Sequence, residues 1–155
     1  MTSVEYLGKY QLTQSDACFK LGRDSVLLAG FCTLRPKWTV CDLGCGVGSL
    51  LLLTAQREEN LTRVGIELDP TAAALARKNL ADNALSGTIL TGDLRDKSLL
   101  RGDQFHLVLS NPPYFRAGSG RSGGQARMDD TCSVLDLCQT AGRLTRTGGR
   151  FALVY

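Results

Sequence analysis

The sequence lacks the segments that would place it in or across a membrane. No apolar run reaches the roughly 20 residues of a membrane-spanning helix. The first 14 residues are polar and mixed, unlike a secretory signal. We therefore expect a cytoplasmic protein, and the 155 residues suffice for one domain with a single core.

The sequence also has few of the residues that build metal sites. Its one histidine, His106, lies between Phe105 and Leu107 in a predicted strand, so we expect a structural role for it. No pair of cysteines has the Cys-x-x-Cys spacing of zinc or redox sites. Without a secretory signal, we expect neither disulfides nor a metal. The cysteines are interpreted as small, partly buried apolar side chains: Cys18, Cys32, Cys41, Cys45, Cys132 and Cys138.

Strands and helices alternate along most of the chain. The pattern predicts strands over 39–43, 63–68, 88–90, 105–110 and 151–155, and helices over 49–57, 70–83 and 132–144. Gly148-Gly149 is expected to stop the last helix. A short hairpin over 4–12, turning near Gly8-Lys9, and a helix over 24–34 come first. The order predicts an α/β fold with a mostly parallel sheet of strand order 3-2-1-4-5. Residues 1–155 then form one domain, with residues 38–155 as its core.

The first candidate site element is a glycine-rich turn over residues 42–48, Asp-Leu-Gly-Cys-Gly-Val-Gly, between a strand and a helix. Glycine lets the backbone turn sharply and approach a ligand closely. Ligands of open parallel sheets bind at the carboxyl ends of the strands. The dinucleotide fingerprint G-x-G-x-x-G is not met, because Ser49 stands where its third glycine would be.

Two carboxylates follow the next two predicted strands. Glu67 ends the second strand and can accept hydrogen bonds from both hydroxyls of a ribose. Asp69 is its rival, although capping of the following helix explains Asp69 better. Asp93 follows the third strand, where it can accept a hydrogen bond from an adenine amino group. Together with the glycine turn, these acids predict a nucleoside site.

The sharpest motif, Ser110-Asn111-Pro112-Pro113-Tyr114, directly follows the fourth predicted strand. The two prolines fix φ and remove two backbone donors, so their carbonyls are held rigidly. Asn111 adds a side-chain carbonyl, and Tyr114 adds a flat ring. These acceptors and this ring suit a planar amino group on a stacked base.

A glycine-rich segment over residues 115–130 follows and is predicted to be a long, mobile loop. Arg116, Arg121 and Arg127 lie in it. They either contact phosphates of an RNA or form part of a solvated loop. The net charge of +3 is compatible with nucleic acid without requiring it.

These motifs resemble those of known families. The turn with its leading Asp42 resembles motif I of the class I methyltransferases, which have a Rossmann-like fold. Residues 111–114 resemble motif IV of the amino-methyltransferases, which modify adenine N6, cytosine N4 or a glutamine amide. Residues 20–29, 65–70, 110–115 and 148–155 resemble the bacterial tRNA1(Val) adenine-N6 methyltransferases, and this resemblance covers nearly the whole chain.

The resemblance implies methyl transfer from S-adenosylmethionine to an exocyclic nitrogen, with adenine N6 in tRNA favoured. It places residues 1–37 at the cofactor entrance, with Asp24 as a cofactor contact or a helix cap. The implied catalytic residues are Asn111, Pro112, Pro113 and Tyr114. The implied cofactor-binding residues are Asp24, Asp42, Gly44, Gly46, Gly48, Glu67, Leu68, Asp93 and Asn111. The implied substrate-binding residues are Tyr114, Phe115, Arg116, Arg121 and Arg127.

Two alternatives and one departure remain open. A glutamine-amide methyltransferase shares the Asn-Pro-Pro-Tyr motif. The chain can also be a fragment that binds the cofactor without turnover, because the family's C-terminal antiparallel hairpin is not found before Tyr155. The apolar strand over 150–155 is then expected to lie at a sheet edge and to favour self-association.

Overall fold

Five parallel strands form the central sheet of the computed structural model, which describes residues 1–112 and 132–155. Their order is β5-β4-β3-β6-β7, which confirms the predicted order and the α/β class. A separate antiparallel hairpin, β1-β2, precedes the sheet. The elements are β1 Thr2–Leu7, β2 Tyr10–Ser15, α1 Arg23–Phe31, β3 Thr39–Leu43, α2 Ser49–Arg57, β4 Thr62–Glu67, α3 Pro70–Asp82, β5 Thr88–Thr91, β6 Phe105–Ser110, α4 Val134–Leu144 and β7 Thr145–Leu153.

The core lies on both faces of this sheet. Val40 and Leu107 belong to a cluster with the apolar faces of α1, α2 and α3. Cys41 and Val108, the next residues along the same strands, belong to a second cluster with α4. Successive side chains of a strand point to opposite faces, so β3 and β6 are buried on both sides. Helices therefore cover both faces of the sheet, and the ends of the strands stay accessible to a ligand.

The helix bounds differ from the prediction by more than one residue at two ends, each for an identifiable reason. The helix predicted over 24–34 ends at Phe31, where Cys32 turns to an extended conformation and the Arg57 guanidinium donates to the Cys32 carbonyl at 2.7 Å. The helix predicted from residue 132 begins at Val134, because Ser133 and Asp136 form a capping box.

The prediction that Gly148-Gly149 stops the last helix is wrong. α4 ends at Leu144, and the Thr145 hydroxyl donates to the Ala141 carbonyl at 2.7 Å. The glycines lie inside β7, which starts at Thr145 rather than at residue 151. They occupy an irregularity over residues 145–150, here called the β7 bulge, because Phe105 pairs with Thr145 while Leu107 pairs with Arg150.

In the sheet formed by the described residues, β7 lies at one edge and pairs with β6. Self-association through residues 150–155 stays a prediction. No helix within residues 1–112 or 132–155 has the length and apolar character to cross a membrane. All six cysteines fall in these ranges, and they are free thiols.

The hairpin packs on the core through Leu7, Tyr10 and Leu12, and one buried polar side chain of α3 fixes its backbone. Asn79 of α3 is fully buried, and its amide exchanges hydrogen bonds with the Thr13 N–H and C=O, both at 2.9 Å. The same Nδ2 atom donates to the Val47 carbonyl at 2.8 Å. Asn83, one turn later, repeats the exchange with Gln11 at the surface. Asn79 therefore fixes both the hairpin and the loop before α2.

We expect Asn79→Ala to destabilise the fold by on the order of 1–3 kcal/mol, because it leaves buried backbone groups of Thr13 and Val47 without partners. Asn83→Ala is the matched control. Water can replace its bonds to the exposed Gln11 backbone, and only its bond to the Asn79 carbonyl is partly buried, so the effect is smaller. Urea unfolding of both variants measures the difference. Equal losses would contradict the role assigned to Asn79.

Candidate active site

A cavity of about 800 Å³ lies at the carboxyl ends of β3, β4, β5 and β6. The chain runs outward from β3 in one direction through β4 and β5, and in the other through β6 and β7. The cavity therefore lies where the strand order reverses, the usual ligand site of open α/β sheets. Its lining includes Phe19, Lys20, Ser25, Asp42, Gly44, Cys45, Gly46, Glu67, Leu68, Asp69, Asp93, Arg95 and Asn111.

The predicted glycine turn forms one wall. Gly44, Gly46 and Gly48 have φ of 73°, 54° and 87°, in the left-handed region that L side chains rarely adopt. The backbone N–H groups of Gly44 and Cys45 both donate to the Ile66 carbonyl, at 2.8 and 3.0 Å. This bond pair fixes the turn against the end of β4.

Gly65 of β4 makes the close approach possible, although it was not among the predicted site residues. A Cβ atom there would lie 2.6 Å from the Cys45 sulfur and 2.9 Å from the Ile89 Cδ1 atom. The signal for its role is a glycine inside a strand, which often marks a close backbone approach.

Asp42 lies beneath the turn and is only 1% exposed. Neither of its carboxylate oxygens has a hydrogen-bond partner among the described residues. Burial raises the pKa of Asp42 well above its usual range, and the negative charge of Glu67 raises it further. Because Asp42 also lines the cavity, a ligand that brings a cation or N–H donors would stabilise its ionised form.

Glu67 stands at the end of β4, as predicted, and lines the cavity. Its Oε2 atom accepts from the Gly46 N–H at 2.7 Å, and its Oε1 atom accepts from the Asp69 N–H at 2.9 Å. An ionised carboxylate has about four acceptor positions, so it can still accept from ribose hydroxyls. Asp69 caps α3 by accepting from the Thr71 N–H at 2.8 Å, which confirms its predicted capping role.

Asp93 also lines the cavity, but it is paired with a residue that the sequence pattern did not single out. The Arg95 side chain donates to both Asp93 oxygens, with its Nη2 atom 2.5 Å from Oδ2. These hydrogen bonds lower the pKa of Asp93. Arg95 therefore keeps Asp93 ionised and oriented, and the remaining lone pairs can accept from an amino group.

Asn111 follows β6 at the opposite wall. Its Nδ2 atom donates to the Ser25 hydroxyl at 2.9 Å, and Ser25 is buried in α1. This hydrogen bond fixes the orientation of the Asn111 amide and leaves its Oδ1 atom as a possible acceptor for a ligand. Pro112 is buried beside it. Pro113, Tyr114, Phe115, Arg116, Arg121 and Arg127 lie outside the described residues, so their predicted roles stay predictions.

The segment between β2 and α1 covers one side of the cavity through Phe19, Lys20 and neighbouring residues. Gln14, 4% exposed, holds it because its Oε1 atom accepts from the Leu21 N–H at 2.6 Å. Asp24 is not a helix cap, since Gly22 occupies that position. Asp24 lies in the first turn of α1, outside the cavity lining, and its predicted cofactor contact stays a prediction.

These residues fit an S-adenosylmethionine-like ligand. The cavity volume lies in the range of small-ligand sites. Carboxylates at the ends of three successive strands match an amino group, a ribose and an adenine, and the unpartnered Asp42 oxygens favour a positively charged group. Among the residues described, no group of three or more His, Cys, Asp and Glu is arranged to hold a metal.

A family model described as methyltransferase small domain matches residues 20–155. The chain is 33% identical to a tRNA1(Val) (adenine(37)-N6)-methyltransferase of Porphyromonas gingivalis, covering 99% of this chain and 65% of that protein. A protein with the same description from Dickeya chrysanthemi is 35% identical, with 90% of this chain and 58% of that protein covered. The chain thus spans less than two thirds of the length of these relatives.

Solved structures share the fold at low sequence identity. Pyrococcus horikoshii TYW2 in complex with MeSAdo has a TM-score of 0.68 at 16% identity, covering 94% of this chain and 48% of that one. A geranyl diphosphate C-methyltransferase of Streptomyces coelicolor, solved with S-adenosyl-L-homocysteine, has a TM-score of 0.65 at 15% identity, covering 84% and 42%. The predicted Rossmann-like class I methyltransferase fold is confirmed.

We expect Asp42→Asn to stabilise the ligand-free protein at neutral pH. The pKa of Asp42 is raised in the folded state, so its favourable contribution is complete below the unfolded value of about 3.9 and is lost as pH rises through the folded pKa. The advantage of the variant should grow by up to about 1.4 kcal/mol per pH unit over that window. Urea unfolding from pH 4 to 8 measures it.

The control for this prediction is Asp69→Asn, which keeps the helix cap while removing a half-buried carboxylate from the same rim. It should show no comparable pH-dependent gain. A loss of stability in Asp42→Asn at pH 7 would mean that Asp42 has a compensating partner in the folded protein.

Proposed function

The chain belongs to the methyltransferase small domain family, and from that premise we propose that it transfers a methyl group from S-adenosylmethionine to N6 of an adenine in tRNA. The observation that carries the proposal is the position of Asn111. Its amide is fixed by Ser25 at the wall of the acid-lined cavity, directly after the central strand β6. The relatives named as tRNA1(Val) (adenine(37)-N6)-methyltransferases support the choice of adenine and tRNA.

In this proposal each described residue has a separate task. Asp42 and Glu67 hold the amino acid and ribose parts of the cofactor, Asp93 accepts from its adenine, and the glycine turn gives its backbone room. S-adenosylmethionine, when bound, supplies a sulfonium methyl group that is already activated for transfer. Asn111 and the Pro112 carbonyl accept hydrogen bonds from the target amino group and align its nitrogen, which is a proximity effect.

The direct test is incubation with S-adenosylmethionine and bulk tRNA, followed by mass spectrometry of the nucleosides. Formation of N6-methyladenosine supports the proposal. Methylation of a glutamine amide in release factor, with unmodified tRNA, would replace it with the protein-amide alternative. Calorimetric binding of S-adenosylhomocysteine without any methylated product would instead identify a binding fragment without turnover. The cytoplasmic location stays a prediction.

We expect Glu67→Ala to weaken S-adenosylhomocysteine binding roughly 10- to 150-fold, because hydrogen bonds to a charged acceptor contribute about 1.5–3 kcal/mol. The loss combines the ribose contacts with the Gly46 N–H bond that shapes the turn. Calorimetry measures the affinity. Asp69→Asn is the control, and it should bind within a few-fold of wild type. If it lost as much affinity, the ribose contact would belong to Asp69.

We expect Asn111→Ala to lose most turnover while keeping cofactor affinity, because the lost contacts go to the target nitrogen. Ser25→Ala is the matched variant, since it removes only the bond that orients the Asn111 amide. Its turnover should fall between those of wild type and Asn111→Ala. Single-turnover rates and calorimetry separate the two effects. A large loss of cofactor affinity in Asn111→Ala would move Asn111 from the substrate to the cofactor.

A further inference from the structure

Two positions of the β7 bulge, Gly148 and Gly149, favour glycine for steric reasons. Gly148 has a φ of 76°, and a Cβ atom on Gly149 would lie 2.8 Å from the Phe105 carbonyl oxygen. Residues 146–149 lie opposite His106 alone, because the flanking pairs are Phe105 with Thr145 and Leu107 with Arg150. Bulges re-aim side chains next to sheet edges. Here the bulge presents Arg146 and Arg150, and neither has a part in the proposed site.

Both arginines are held in place by residues of other elements. The Arg146 Nη1 atom lies 2.9 Å from His106 Nε2, and the His106 ring stacks on Trp38 at 5.3 Å between ring centroids. Burial and the charge of Arg146 lower the pKa of His106, and the Thr39 N–H donates to the Nδ1 atom of the same ring at 3.1 Å. The Arg150 Nη1 atom donates to the Thr33 hydroxyl at 2.6 Å. The bond to Thr33 restricts the Arg150 side chain before any partner binds, and the His106 ring lies against the Arg146 side chain; such restriction reduces the entropy cost of binding.

A third arginine extends the same surface. The Arg35 guanidinium lies 5.8 Å from the Trp38 ring, in a cation–π arrangement. We call the surface formed by Arg35, Trp38, His106, Arg146 and Arg150 the basic edge. It lies at the amino ends of β3 and β6, since Trp38 directly precedes β3 and His106 is the second residue of β6. It is therefore at the opposite end of the strands from the cavity.

The cations of the basic edge are exposed and belong to none of the ion pairs found among the described residues. Other cations, such as Lys9, Lys20 and Lys78, do pair with acids. Acidic residues at this end of the sheet include Asp103 before β6, Glu58 and Glu59 before β4, and Asp82 at the end of α3. Glu59 and Asp82 are already paired with Lys9 and Lys78. The basic edge thus keeps most of its positive charge available to a partner.

The opposite end of the sheet is mainly acidic, because the cavity lining contains Asp42, Glu67, Asp69 and Asp93 against the two cations Lys20 and Arg95. Such a rim attracts a cationic cofactor and repels phosphates. A strand of six residues spans only about 20 Å, so a folded RNA is long enough to reach past the rim to the far end. We infer that the basic edge binds phosphates of the RNA substrate and holds it on the protein while one base enters the cavity.

The inference rests on the proposed function, because it takes the polyanion to be the substrate RNA. The test is fluorescence anisotropy of labelled tRNA with Arg146→Gln/Arg150→Gln at several salt concentrations. Two duplex phosphate contacts contribute a slope of about 1.8 in log affinity against log salt. Between 50 and 200 mM salt, wild type should therefore lose about 12-fold more affinity than the variant. S-adenosylhomocysteine binding should not change.

Two further variants separate charge from packing. Arg146→Lys/Arg150→Lys keeps the charges and should retain most of the salt slope. Lys9→Gln/Lys78→Gln removes the same net charge from two lysines outside the basic edge, and its salt slope should stay close to that of wild type. An unchanged slope in the glutamine variant, or an equal fall in the lysine variant or the control, would overturn the inference.

The outcomes also separate this inference from the proposed function. Edge-dependent tRNA binding without formation of N6-methyladenosine would leave the inference standing and refute the function. Methylation of tRNA at N6 of adenine, with tRNA binding unaffected by the basic-edge variants, would support the function and refute the inference. Absence of tRNA binding by the wild-type protein would overturn the inference.

Discussion

Two backbone N–H groups that converge on the Ile66 carbonyl hold together the carboxyl end of the sheet. They come from Gly44 and Cys45, so the turn after β3 lies directly on the end of β4. This contact depends on the missing side chain of Gly65, whose Cβ would overlap Cys45. It also places Glu67 where its carboxylate accepts the Gly46 N–H. The cavity wall is therefore a consequence of backbone packing between two strands rather than of a separate loop structure.

The same packing explains why the site is costly to the fold. Closing the turn over β4 buries Asp42, whose two oxygens have no partner among the described residues. A buried carboxylate without partners lowers stability, and the nearby charge of Glu67 makes ionisation harder still. The Asp42 carboxylate lines the cavity, where a positively charged ligand would offset this loss of stability. Unsatisfied polar groups of this kind are expected at binding sites rather than in structural cores.

Much of this architecture could be predicted from the sequence, because its signals are local. The bounds predicted from the apolar pattern agree with those observed for β3, α2 and β6, and the order of the elements predicted the strand order of the sheet. What could not be predicted depends on distant pairs. Gly148 and Gly149 look like a helix stop, but a Cβ atom on Gly149 would lie against the Phe105 carbonyl across the sheet, and Gly148 has a positive φ. The Asp93–Arg95 pair is different, because the two residues are neighbours in the sequence, but a pattern of apolar residues carries no signal for an ion pair between side chains.

The bulge and the turn are related by the direction of the strands. Parallel strands bring all carboxyl ends to one side, and there the acids collect around a cavity suited to a cationic ligand. The amino ends meet on the other side, where the bulge turns Arg146 and Arg150 outward beside Arg35. A net charge of only +3 hides this separation, since the acids that line the cavity and the arginines of the basic edge cancel in the sum. For the proposed function, in which a positive cofactor meets a negative polymer, the distribution of charge matters more than its total.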